Sequence, residues 1–115
     1  MTVTLLKSKL HRLRVTESDL DYTGSLTIDE DLMDAVGIMN YERLLVANVA
    51  NGKRFETYAI RGPRGSGVCC LNGAAAHKGR VGDLLIVMAW AQMTEEEARL
   101  FSPKIGIVGE GNRLV

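Results

Sequence analysis

Hydrophobic and polar positions alternate in short stretches along this chain, and turn signals interrupt them often. Residues 2–8 and 10–16 read as two strands, with Val3, Leu5, Leu10, Leu13 and Val15 as their apolar positions. Thr16-Glu17-Ser18-Asp19 is polar and predicts a turn. A helix is expected from about Thr27, where Thr27 and Glu30 fit a capping box. Leu32, Met33 and Val36 share a side, and Gly37 is a natural stop. Leu44 to Ala50 and Lys53 to Ile60 flank Asn51-Gly52, which predicts a hairpin with both turn residues at positive φ. Residues 61–67 form a Gly-rich loop. Val68 to Leu71 and Leu84 to Met88 read as buried strands, and Ile105 to Val108 as a last short one. A second helix begins at Thr94, with Glu97 completing a capping box. The sum is a mainly β protein, a small barrel with two short helices.

Composition narrows the function classes. The 115 residues predict one domain with a small core. Fourteen basic and fourteen acidic residues balance to zero, without the basic excess of a generic nucleic-acid or membrane-surface binder. The longest apolar stretch, Leu84 to Ala91, is far short of the roughly 18 residues a membrane span needs. Lys7 and Lys9 sit where an export signal would be apolar, so a cytoplasmic location is expected. Cys69 and Cys70 are adjacent, which suits strand packing better than a disulfide or a metal site. No metal is expected.

Candidate chemistry centres on Gly24-Ser25, inside Asp21-Tyr22-Thr23-Gly24-Ser25. Taken alone this is a turn. A strained Gly-Ser peptide can also be attacked by its own serine hydroxyl, which turns the amide into an ester. Elimination and hydrolysis would then leave a pyruvoyl group at position 25 and release ammonia. Such a ketone is an electron sink for decarboxylating an amino acid. Nothing suggests a pyridoxal phosphate fold.

Four further segments accompany this pair: Ser8-Lys9-Leu10-His11-Arg12, Asn51 to Ile60, Asn72-Gly73-Ala74-Ala75-Ala76-His77 and Val81-Gly82-Asp83. Together, in this order and over most of the chain, they resemble the pyruvoyl-dependent aspartate 1-decarboxylase family. The resemblance implies a six-stranded double-psi β-barrel. It implies self-cleavage into residues 1–24 and 25–115, and conversion of L-aspartate to β-alanine for pantothenate and coenzyme A synthesis. Ser25 would become the pyruvoyl group that forms a Schiff base with substrate, and Tyr58 would protonate the substrate after CO2 leaves. Gly24, Ser25 and Thr57 would carry self-cleavage. Lys9 and Arg54 would hold the two carboxylates, with Thr57 and the backbone of Gly73, Ala74 and Ala75 lining the site. His11, Tyr22 and Asn72 are secondary candidates. The resemblance also implies a homotetramer with sites between subunits, and allows a maturation factor as partner.

Each residue has a plainer reading. Lys9 and Arg54 could be solvated charges, Tyr58 a half-buried packing residue, Thr57 a strand former, and His11 and His77 structural. His77 is left on that side. A regular strand also turns Thr57 away from Arg54, Glu56 and Tyr58, so a bulge, twist or second subunit is needed to reconcile them. Ala47, Leu26 and the end at Val115 depart from the family pattern. Two rival readings remain: a β-barrel binding nucleic acid through Arg54, Arg61, Arg64 and Lys78, and a pyruvoyl decarboxylase of another acidic amino acid.

Overall fold

The computed structural model describes residues 1–22 and 24–115; Thr23, within the Asp21–Ser25 run, lies outside the described residues. The described strands are β1 (Thr2–Arg14), β2 (Glu17–Asp19), β3 (Leu26–Asp29), β4 (Arg43–Asn48), β5 (Arg54–Gly62), β6 (Cys69–Asn72), β7 (Leu84–Thr94) and β8 (Lys104–Ile107). They line up in the order β2-β6-β3-β5-β4-β7-β1-β8. Among the described residues the six expected strands are flanked at the two ends of the order by two short ones, β2 and β8.

The ends of the order are tied together. β1 runs into β2 through Val15 and Thr16, although β2 lies at one end of the order and β1 beside β8 at the other. Val15 N donates to Asp83 O at 2.8 Å and Thr16 N to Cys69 O at 2.8 Å. The buried amide of Asn112 joins the carbonyls of Arg14 and Gly67 at 2.8 Å each. Backbone groups that an open sheet would leave bare are therefore paired.

Several expectations shift. Residues 2–16 do not form two strands. β1 continues through two bulges, between Leu6 and Ser8 and between His11 and Leu13, with Arg12 at φ +70°. The expected turn at Thr16–Asp19 contains β2, which pairs parallel with β6 and so acquires a ladder its polar sequence does not announce. Helix α1 (Glu30–Val36) starts after Thr27, not at it. Thr27 belongs to β3, paired with β5 and β6, and Asp29 caps the helix instead. Gly37 ends α1 at φ +76° as expected. Only Gly52 of the Asn51-Gly52 pair has positive φ. Here a longer connection is stitched by side chains: Asn48 Oδ1 accepts from Ala50 N and Asn51 Oδ1 from Lys53 N. Helix α2 (Glu95–Leu100) carries the expected Thr94/Glu97 capping box. A 3-10 turn at Gly73–Lys78 was not anticipated.

Strand register separates the two sheet faces. Leu10, Val87, Val46 and Phe55 follow one another across β1, β7, β4 and β5. The first three are wholly buried and Phe55 packs against that core. Leu32, Met33 and Val36 of α1 join the same cluster, as their helical spacing requires.

Asp29 is the most heavily bonded buried charge. Its carboxylate accepts from the backbone N–H groups of Asp31 (2.9 Å), Gly65 (3.1 Å) and Gly67 (2.9 Å), which ties α1 to the 63–68 loop. Burial alone would push its pKa up. The N–H donors of Gly67, Asp31 and Gly65 and the charge of Arg113 outweigh that and hold it below the usual carboxylate value. The bound carboxylate therefore stabilises the fold above the unfolded-state pKa near 3.9, and loses this contribution as pH falls through its own lower value. Asp29→Asn should cost about 1–3 kcal/mol at neutral pH. In urea titrations the gap from the unaltered protein should narrow below about pH 4; a gap independent of pH would contradict the charge argument.

Candidate active site

β3 begins abruptly, and the two residues before it are contorted. Leu26 pairs parallel with Ala59 of β5 and antiparallel with Leu71 of β6. Immediately upstream, Gly24 has φ +94° and Ser25 φ +95°. Glycine tolerates this region, but serine carries a Cβ and is strained there by roughly 1–3 kcal/mol. Ser25 is nonetheless only 2% exposed. Asn72 holds it twice: its backbone N–H donates to Ser25 O at 3.0 Å, and its Nδ2 to Ser25 Oγ at 3.2 Å. The same Nδ2 donates to Thr27 Oγ1 at 2.8 Å.

Gly73 presses against this segment. Its φ is +59°, and a Cβ there would lie 2.7 Å from Gly24 N and from Tyr22 O, and 2.8 Å from Gly24 Cα. No other residue permits that approach.

Ser25 opens onto a cavity of about 290 Å³, lined by Gly24, Ser25, Phe55, Glu56, Thr57, Tyr58, Ala74, Ala75 and Lys78. Four consecutive residues of β5 reach it for a simple reason. β4 covers one edge of β5 from Arg54 to Tyr58, whereas β3 pairs with the other edge only from Ala59 onward. Because the ladder with β3 begins only at Ala59, the cavity lies against that side of β5 at residues 55–58. Thr57 and Tyr58 thus line one cavity without a bulge, although their side chains leave the strand on opposite sides.

Of the sequence candidates, the cavity brings together Gly24, Ser25, Thr57, Tyr58, Ala74 and Ala75. Asn72 and Gly73 brace it from behind. Lys9, His11 and Arg54 do not line it. Register runs Lys9–Met88–Leu45–Glu56 in one row and His11–Ile86–Ala47–Arg54 in the next. All three therefore lie on the outward sheet face, opposite the Leu10–Val87–Val46 core row. Strand spacing of about 4.8 Å sets Lys9 and His11 roughly 14 Å across the sheet from β5. His11 Nδ1 is buried there without a hydrogen-bond partner.

Tyr22 is 49% exposed and lines a separate recess of about 450 Å³ with Glu17, Asp19, Thr27, Cys70 and Asn72. His77 faces another recess beside Lys53 and Arg80, away from Ser25. Sequence reasoning missed Phe55, Glu56 and Lys78 as cavity residues. Lys78 could have been found, since it closes the Asn72–His77 run and a lysine beside a small-residue turn offers a cation to an anionic ligand. Among the described residues no group of three His, Cys, Asp or Glu side chains could hold a metal ion.

A serine held in strain beside an open, partly apolar cavity with a phenol and a lysine can present a reactive group to a small anionic ligand. The comparisons agree with that chemistry. The family model described as aspartate decarboxylase matches residues 1–115. The chain is similar to the aspartate 1-decarboxylase of Shouchella clausii (strain KSM-K16), 55% identical over 112 residues, 97% of this chain and 88% of that protein. It is 53% identical over 115 residues to that of Acetivibrio thermocellus, covering 100% of this chain and 91% of the relative. Among solved structures, the rationally designed mkDPBB_sym1 protein matches with a TM-score of 0.51 at 20% identity, over 76% of this chain and 96% of its own. That likeness concerns the fold, a double-psi β-barrel.

Gly73→Ala tests the close packing behind Gly24. The new methyl meets backbone that cannot step aside, so unfolding should be eased by roughly 1–3 kcal/mol. Gly52→Ala has a similar φ, +73°, but open space around it. It should cost less in the same denaturant titration; equal costs would mean that the Gly73–Gly24 contact matters little.

Proposed function

The chain belongs to the aspartate decarboxylase family, and from that premise we propose that it converts L-aspartate to β-alanine and CO2 with a pyruvoyl group made from its own Ser25. The observation that carries the cofactor assignment is the Gly24–Ser25 peptide itself. Both residues sit at positive φ, the serine is buried, and the peptide borders a ligand-sized cavity. The residues fit the group. Gly73 leaves room against Gly24 that any Cβ would fill, and Asn72 donates to the serine oxygen that must react.

In maturation Ser25 Oγ bonds to the Gly24 carbonyl carbon, and its proton passes to the departing nitrogen as the C–N bond breaks. Thr57, beside Gly24 in the cavity, is the donor for the developing oxyanion. Loss of the Ser25 Cα proton expels Gly24 as a carboxylate, and water replaces the resulting enamine nitrogen with oxygen, releasing ammonia. The products are residues 1–24 and residues 25–115. When formed, the pyruvoyl carbonyl supplies the electron sink for the bonding pair left as CO2 departs.

The remaining work falls to side chains. Tyr58, bordering the cavity, delivers a proton to the substrate Cα. Ala74 and Ala75 keep the wall low enough for substrate to lie against the backbone of 73–75, with Gly73 packed behind Gly24. Arg54 and Lys9 hold the carboxylates, Arg54 bidentately. These two cations lie on the outward face with Leu45, Met88 and His11, and not in the cavity of their own chain. That separation supports a homotetramer whose sites combine one chain's cavity with its neighbour's face. No described helix is long and apolar enough to cross a membrane. A cytoplasmic setting, supplying β-alanine to pantothenate synthesis, suits the two free thiols.

Intact mass under denaturing conditions tests the maturation. Two fragments are expected, split between Gly24 and Ser25, with the larger lighter by one ammonia than the same chain beginning in serine. Ser25→Ala should give one full-length chain and no decarboxylation. An unaltered chain that stays whole after prolonged warming would defeat the reading. Tyr58→Phe should cleave normally yet lose about 10²–10⁴-fold in kcat; retained turnover would remove Tyr58 as the acid.

A further inference from the structure

Asn72 can serve Ser25 in only one of its two amide orientations, and something must choose between them. With Nδ2 toward Ser25 and Thr27, the serine oxygen accepts a hydrogen bond at 3.2 Å and Thr27 Oγ1 another at 2.8 Å. With the amide turned over, its oxygen would face two hydroxyls. Both can donate, so their own bonding does not settle the choice. The consequence for Ser25 differs sharply. A donor on Oγ stabilises the negative charge that develops as its proton leaves, whereas a carbonyl oxygen there ties up that proton and opposes the charge.

The third partner of Asn72 breaks the tie. Cys70 Sγ lies 3.1 Å from Asn72 Oδ1, the other end of the amide from the Nδ2 that meets Ser25. A thiol is a donor first and a poor acceptor, so it favours the amide oxygen over the NH2 group. We propose that Cys70 is a positioning residue for self-cleavage: its S–H holds the Asn72 amide with its NH2 group toward Ser25 Oγ. This rests on the maturation described above.

The surroundings keep the sulfur a donor. Burial pushes the Cys70 pKa up, and the charges of Glu17 and Asp19 push it the same way, so the group stays a thiol and not a thiolate, which could only accept. Glu17 pairs with Cys70 across β2 and β6, and its carboxylate competes with Asn72 Oδ1 for the single thiol proton, which the 3.1 Å contact places on Asn72. The arrangement uses both N–H donors and the oxygen of a 3%-exposed amide, and a buried network of this kind has one preferred polarity.

The test compares donors with non-donors of matched shape. Chains made by cell-free synthesis are sampled over time by intact mass, and the cleavage rate is read from loss of the full-length species. Cys70→Ser keeps a donor and should cleave within about threefold of the unaltered chain. Cys70→Ala removes it and should slow cleavage about tenfold or more, in line with loss of an oxyanion donor's support. Cys70→Thr and Cys70→Val repeat the comparison with larger, nearly isosteric side chains, should the alanine chain not fold. Thermal unfolding of all four supplies the control, since a merely structural role makes cleavage follow stability and not the presence of a donor. If Ala matches Ser, or Val matches Thr, while the unaltered chain cleaves, the positioning role is overturned and self-cleavage stands. If the unaltered chain does not cleave, the maturation itself fails and this inference falls with it.

Discussion

Asn72 grips Ser25 at both ends of the residue, through a backbone N–H on its carbonyl and an amide on its hydroxyl. Most of what is particular to this molecule follows from that grip. A serine at φ +95° is unfavourable by itself, and a segment this close to a chain turn would relax if it could. It cannot, because Leu26 is already fixed between β5 and β6 one residue later. Gly73 closes the other side at van der Waals contact. The strain is therefore borne by the barrel, whose buried cluster supplies the stabilisation that a free loop lacks.

The same constraint builds the cavity. Since the ladder between β3 and β5 starts only at Leu26 and Ala59, the cavity sits beside β5 just before it. The cavity and the late start of that ladder are then one feature seen from two sides. Both parities of β5 contribute side chains to it. An ordinary hairpin partner there would have filled the space and relaxed the serine together.

How much of this the chain discloses beforehand depends on the distance over which each signal acts. Helix ends were readable where the cap is local: Gly37 and the Thr94/Glu97 box needed only neighbours in sequence. Thr27 misled because its rival, Asp29, gains strength from Gly65 and Gly67, more than thirty residues away. β2 was hidden for the same reason, as three polar residues become a strand only when β6 is beside them. In the site, residue identities came from resemblance to a family, and the geometry came from the fold. No periodicity could reveal that Thr57 and Tyr58 share a cavity, because that depends on where a different strand begins. Nor could it reveal that Cys70 touches the Asn72 amide oxygen.

Charge placement completes the physical picture. The chain is neutral overall, so it does not draw in an amino acid with two carboxylates by net field. Cations must act locally, and they are divided: Lys78 borders the serine cavity, while Lys9 and Arg54 stand on the outward face. That face also carries Ile105 and Ile107, about half exposed, paired beside Lys9 and His11. An apolar surface studded with a few cations is poorly hydrated for its charge, and its cations gain most when a carboxylate is delivered to them out of water. Covering the face with a second chain would supply that dry setting and would also bury the exposed isoleucines. Substrate recognition and subunit association would then draw on the same surface, so a change that weakened one would weaken the other.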